Sequence, residues 1–252
     1  MAGAMLAIWN DYPAEFAEEY ASWHTFEHVP ERLTVPGMQA ARRYVSASEI
    51  ETYFTLYDLE DLSVIEHPAY IDLVRNPTPW SLKMRRHFSK VLRIPGKIAA
   101  TGGHGIGGAA NVQAYSVDRR DAQTWVLALE TMLRRLITQS HLTGFRVALA
   151  EPNQIYEVFS QDEETDPDTI NVVIIAEGES VQSLAALQET LTEQIIATLQ
   201  PRKILRNDLF TMLISYRGDE FPADRSEIAT TRATAHLSEC TDQEAFDSHV
   251  SP

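Results

Sequence analysis

Two histidines one helical turn apart, with a glutamate beside the second, stand out in His24-Thr25-Phe26-Glu27-His28. On a helical wheel of about 100° per residue, Phe16, Tyr20, Trp23 and Glu27 share one apolar stripe, and His24 and His28 lie on its flank. A carboxylate in such a stripe loses hydration, which raises its pKa unless a partner compensates. Histidine titrates near neutrality. Together they are the components of an acid–base pair. The bland alternative is structural: Glu27 could pair with Arg32, Arg42 or Arg43, and the histidines could simply pack. The stretch also matches the inverted zinc pattern H-x-x-E-H. Zinc would need a third ligand, which no downstream helix offers, and Pro30 is expected to end the helix at once. No metal site is therefore assigned.

Other candidates lie on predicted strands. In Arg42-Arg43-Tyr44, alternation sends Arg43 to one face and its neighbours to the other. An inward arginine would serve an anionic or carbonyl oxygen. Tyr53, Thr55 and Tyr57 share a face by the same rule, either lining a pocket or packing under helices. Trp80 follows Asn76-Pro77-Thr78-Pro79 and either closes a pocket or anchors that turn. The run Gly103-His104-Gly105-Ile106-Gly107-Gly108 contains a G-x-G-x-x-G match, but it stands between two strands rather than opening a helix. It reads as a connector.

The elements that must position these residues recur in one order. A strand at Met5–Asn10 leads to a helix over Ala14–His28, with Pro13 suited to its first turn. Pro36-Gly37 turns the chain into a strand pair at Met38–Ser46 and Thr52–Asp58. A helix broken at Pro68 covers Ala69–Arg75, and a last strand lies within His87–Ile94. The order β-α-β-β-α-β then repeats. Asn111–Val117 is a strand and Arg119–Gln139 a helix. Strands at Phe145–Ala150 and Ile170–Glu177 precede a helix at Val181–Leu199, and Leu209–Tyr216 closes the sheet. This predicts an α+β chain of two tandem ferredoxin-like repeats. They span 1–100 and 111–217, joined by a Gly-rich linker at 101–110 and followed by an acidic arm or tail at 218–252. Each sheet would carry helices on one face only, so the two bare faces are expected to pack together as a pseudo-dimeric barrel enclosing room for a ligand.

Composition narrows the partners. The formal net charge of −15 disfavours nucleic acid and anionic membrane surfaces. No apolar run reaches the roughly 18–20 residues of a membrane span. The start MAGAMLAIWNDYP reads as a strand rather than a leader, and the single Cys240 cannot form an internal disulfide. The expected setting is a reducing cytoplasm, with the chain a monomer or a homodimer.

The motifs Phe26-Glu27-His28-Val29-Pro30-Glu31-Arg32, Val35-Pro36-Gly37 and Ala41-Arg42-Arg43-Tyr44 resemble the dimeric α+β barrel superfamily over about Met5 to Ile94. Tyr57-Asp58-Leu59-Glu60-Asp61, Pro68-Ala69-Tyr70 and Asn76-Pro77-Thr78-Pro79-Trp80 fit the same pattern. That superfamily includes EthD-like proteins, muconolactone isomerase, polyketide cyclases, cofactor-free monooxygenases and haem enzymes such as chlorite dismutase. The resemblance implies catalytic roles for His28, Glu27 and Arg43; His24 lies outside the recurring pattern. The expectation is a lyase or isomerase without a resident cofactor, acting on a small, partly apolar carbonyl compound. His28 would move a proton, Glu27 and His24 would assist, and Arg43 with Tyr57 would stabilise an oxyanion. Trp23, Tyr20, Trp80 and Tyr53 would shape the substrate pocket. The alternatives are a cofactor-free or haem-dependent oxidase or monooxygenase, and a non-catalytic binding module.

Overall fold

The computed structural model describes residues 3–48, 51–152 and 166–228. Its core is a closed eight-stranded antiparallel barrel in the order β1-β3-β2-β8-β5-β7-β6-β4. The first half supplies β1 (Ala4–Asp11), β2 (Met38–Ser46), β3 (Thr52–Leu59) and β4 (Ser89–Gly103). The second supplies β5 (Ala109–Asp118), β6 (Gly144–Ala150), β7 (Thr169–Gly178) and β8 (Lys203–Arg217). Within each half the strand order is that of a ferredoxin-like sheet. The pairs β2–β8 and β4–β6 join the halves and leave no sheet edge. This is an α+β fold of tandem ferredoxin-like repeats.

Alternation along the strands builds two kinds of core. On β1, Met5, Ala7 and Trp9 face the barrel axis, where they meet Tyr44, Phe54, Val112, Ile175 and Phe210. Ala4 and Leu6 face outward onto helices. The axis is filled: Trp9 packs on Phe54 at 4.8 Å and Phe54 stacks on Phe210 at 5.3 Å. The expectation of a ligand space between the two sheets is corrected here, because large side chains from both sheets occupy it. At one end of the axis Arg42 pairs with Asp58 at 3.0 Å and with Glu177 at 3.4 Å, while Arg146 reaches Asp58 at 2.6 Å.

The helices depart from expectation around the prolines. After β1 come α1 (Ala17–Trp23), a π-helical turn (His24–His28) and α2 (Val29–Leu33). The helix does not stop at Pro30. In the wider turn the Val29 amide donates to the His24 carbonyl. Proline lacks a backbone donor and its ring crowds the preceding turn, so widening that turn lets the helix continue. Gly37, at φ +87°, then turns the chain into β2, and a Cβ there would lie 2.6 Å from Val64. The segment after Asn76 is not only a turn. Thr78 caps a further helix, α4 (Pro79–Arg85), which follows α3 (Pro68–Arg75). β4 runs on to Gly103, so the Gly-rich stretch begins as strand. The second half carries α5 (Ala122–Thr138) and α6 (Val181–Leu199).

Of the segment 218–252, residues 218–228 are described, and the remainder, including Cys240, lies outside the described residues. The described part folds back on the first half. Arg225 pairs with Glu31 at 3.1 Å and Asp72 at 2.9 Å. Among the described residues, no helix is long and apolar enough to cross a membrane.

Candidate functional site

The outward face of the first sheet and the helices above it enclose a cavity of about 50 Å³. The strands contribute Ile8 and Asn10 from β1, Thr55 and Tyr57 from β3, and Val91 and Arg93 from β4. The helical side contributes His24 and His28 from the π turn, Arg32 from α2, Tyr70 from α3 and Arg85 from α4, with Phe88 beyond it. The ionisable cluster therefore borders a hollow between sheet and helices rather than the barrel axis. His24 is buried, whereas His28, Arg85, Phe88, Val91 and Arg93 are partly exposed, so the way in passes the corner between α4 and β4.

The two imidazole rings lie 4.7 Å apart at 34°. Neither Nδ1 has a hydrogen-bond partner, although both are buried. Burial is the largest influence on His24, and the charges of Arg43 and Arg32 add to it, so its pKa falls well below the ordinary value. His28 is lowered in the same way by burial, then by Arg32, His24, Arg85 and Arg43. Both are therefore neutral at physiological pH and able to accept a proton. The buried Tyr57 hydroxyl also lacks a partner, and burial raises its pKa far above the ordinary phenol value. It stays protonated and is a donor on a residue that lines the cavity.

Glu27 is placed elsewhere. Its Oε1 accepts from Trp23 Nε1 at 3.1 Å, Thr78 Oγ1 at 2.6 Å and Ser81 Oγ at 3.1 Å. It anchors the start of α4 and does not line the cavity. Its link to the histidines is indirect, because the Trp23 ring it holds packs 4.3 Å from His28. Arg43 also points away from the cavity lining. It donates to the Ala21 carbonyl and to Thr25 Oγ1, with its guanidinium 5.7 Å from the Tyr20 ring centre. It clamps the π turn onto β2.

The expected pocket aromatics form a separate cluster beside the cavity. Tyr20, Trp23, Tyr53 and Trp80 pack with Tyr12 and Met84. Tyr20 lies 5.1 Å from His24 and donates to Asn10 at 3.3 Å. Trp80 donates to Glu19 at 3.1 Å, tying α4 to α1. Of the residues singled out from sequence, His24, His28, Thr55 and Tyr57 line the cavity. Arg32, Arg85 and Arg93 were not anticipated there. Arg32 follows His28 by one helical turn and donates to its carbonyl at 2.8 Å, a spacing that could have signalled it. Arg85 and Arg93 carry no local signal, since α4 and the sheet bring them in from a distance.

Cofactor fit can be tested on this geometry. No group of three or more His, Cys, Asp or Glu that could hold a metal ion occurs among the described residues. A porphyrin does not fit beside the histidines. A void of about 50 Å³ has room for only a few water molecules, and Trp23 and Tyr20 pack against the imidazoles from the other side.

The equivalent sheet–helix space in the second half is occupied. Gln113 donates to Asn111 and to Thr192, Tyr115 donates to Gln113, and Asn207 donates to Thr192. This amide-rich network fills the position that the cavity takes in the first half.

Neither a known sequence family nor a curated protein matches the chain. Solved structures do match in fold. An anthrone oxidase-like protein superposes with a TM-score of 0.64 at 9% identity, covering 89% of this chain and 99% of that one. A putative monooxygenase from Fusobacterium nucleatum gives 0.54 at 6% identity, covering 86% and 95%. One from Lactobacillus acidophilus gives 0.51 at 9% identity, covering 86% and 97%. These structures bear oxidase or monooxygenase descriptions, and that counts against the expected lyase or isomerase. The EthD or muconolactone isomerase branch gains no support. What the likeness shows is the fold: a closed barrel of two ferredoxin-like halves in one polypeptide, shared with these structures at low identity.

Proposed function

We propose that the chain is an oxidase or monooxygenase that uses dioxygen without a resident cofactor, on a small, ionisable, electron-rich aromatic or enolic compound. The supporting observation is the pair of neutral imidazoles with unpartnered nitrogens on a cavity that also holds a protonated tyrosine and three arginines. His28, the more accessible of the two, removes a proton from the substrate's acidic C–H or O–H group. The Tyr57 hydroxyl and the nearby guanidiniums stabilise the resulting anion. An anion of this kind can give one electron to dioxygen directly. Recombination and collapse at an activated CH₂ group then yield a ketone and one water. The four electrons released by the carbon are those taken up by dioxygen, so no external reductant is required. His24 backs the His28 ring, and Trp23, held by Glu27, fixes its orientation.

The test is dioxygen uptake by the purified protein with 1,3-cyclohexanedione, a one-ring enolic compound with an activated CH₂ group, as the first probe. Replacing His28 with Ala should lower the rate by about 100-fold or more while circular dichroism stays unchanged. Full activity in that variant would reject the assignment. A Soret band in the purified protein, with activity that follows its intensity, would replace this reading with a haem-dependent one.

A further inference from the structure

We propose that the Asn10 carboxamide is a second substrate-binding donor, and that the cavity takes a compound with two oxygens flanking an acidic C–H, one oxygen on Asn10 and the other on Tyr57. This rests on the cavity being the reaction site and adds the substrate class to it.

Asn10 is buried and lines the cavity from β1. Its Oδ1 accepts from the Tyr20 hydroxyl at 3.3 Å, whereas its Nδ2 has no partner. Tyr20 sets which end of the amide is spare. Arg43, a cation that can only donate, lies beside the Tyr20 hydroxyl, so the proton of that hydroxyl is left for Asn10 Oδ1. A buried donor without a partner is costly to keep. The second half shows the alternative. On β5, the first strand of that half, Asn111 Nδ2 donates to Asn207 and to the Asp208 carbonyl, and Gln113 Nε2 donates to Asn111 and Thr192. These amide donors of the closed space are served by the protein, and the Asn10 donor beside the open one is not.

Tyr57 carries the other spare donor. In the pairing of β1 with β3, Leu6 stands opposite Tyr57 and Asn10 opposite Tyr53, with Ile8 and Thr55 between them. At about 3.4 Å per residue, the backbones of Asn10 and Tyr57 lie about 14 Å apart along the strands. Their side chains shorten that gap to a span that suits two oxygens rather than one. The helical side runs the same way. Tyr20, bonded to Asn10, lies 5.1 Å from His24. Arg32, one turn past His28, acts on Tyr57. His28 therefore sits between the two donor ends, over the place of a C–H flanked by two oxygens. Loss of that proton to His28 spreads charge over both oxygens, and each then meets a neutral donor.

The experiment titrates the full chain, without dioxygen so that nothing turns over, with 1,3-cyclohexanedione, cyclohexanone and cyclohexanecarboxylate, and follows heat and melting temperature. Cyclohexanone has one oxygen. Cyclohexanecarboxylate carries the negative charge of the dione's enolate, but with both oxygens at one end. The dione should bind at least about tenfold tighter than either. Asn10→Leu, which keeps the branched shape without the donor, should weaken the dione by about tenfold or more and leave cyclohexanone within about threefold. A general loss of structure would not change that ratio. Asn10→Ala carries the same comparison should the leucine variant not fold. Equal binding of the dione and either control, no binding of any probe, or dione affinity unchanged in a folded Asn10 variant would each overturn the proposal. Selective binding without dioxygen uptake in air would sink the oxidase reading alone. Uptake in air without that selectivity would sink the two-oxygen ligand class alone.

Discussion

At the scale of single residues, an ionisable side chain's identity was easier to read from the sequence than its partners. The helical period placed Glu27 on the buried stripe, and it is buried. Periodicity could not reveal that Thr78 and Ser81, some fifty residues on, would supply its hydrogen bonds. The histidines were legible because they sit one turn apart on one helix. The arginines of α4 and β4 were not, because tertiary packing alone gathers them. The buried histidine has a measurable consequence. His24 stays neutral in the fold, with a pKa well below the ordinary value, and unfolding returns it to about 6.5. Below that pH the unfolded chain binds a proton that the folded chain refuses. Stability present above about pH 6.5 is therefore lost as pH falls, by at most about 1.4 kcal/mol per pH unit for each such histidine. Thermal unfolding between about pH 7.5 and 5 should show this slope. His24→Phe should flatten it, and an unchanged slope would refute the account.

At the scale of elements, the strands followed alternation closely and the helices near prolines did not. Pro30 and the cluster at Asn76–Pro79 read as stops, yet a helix passes through one and starts at the other. Pro79 occupies the first turn of its helix, where it lacks no needed donor, whereas Pro30 lies inside a continuing helix and the wide turn before it accommodates the missing donor. The wide turn before Pro30 is equivalent to one inserted residue, and such insertions recur at functional sites. It sets how His24 and His28 face the sheet. Deleting Phe26, which is 39% exposed, should convert the turn to regular helix and rotate the two imidazoles relative to each other. The expected result is a folded protein with unchanged helical circular dichroism and about 100-fold lower dioxygen uptake. Retained activity would show that the turn has no bearing on the site.

At the scale of the whole molecule, the duplicated order of elements was readable because each half repeats the same periodicities. The filled barrel axis was not, since alternation says that two faces are apolar without saying whether their side chains leave a gap. The charged end of that axis ties the halves together, with Arg42 and Asp58 from one and Arg146 and Glu177 from the other. Asp58→Ala would leave Arg146 without its carboxylate and Arg42 with Glu177 alone. It should cost about 3–5 kcal/mol in urea denaturation, and a loss below about 1 kcal/mol would show the network to be dispensable.

Joining the halves in one polypeptide also frees them from being alike. In an assembly of identical subunits every substitution appears twice, so a change that tunes one pocket alters its twin as well. Here the second lobe has closed its equivalent space with Asn111, Gln113, Tyr115 and Asn207, and it can serve as a rigid buttress while the first lobe diverges. A fused barrel of this kind can keep one sheet–helix space open and its counterpart shut, and selection on the open one need not compromise with a copy of itself.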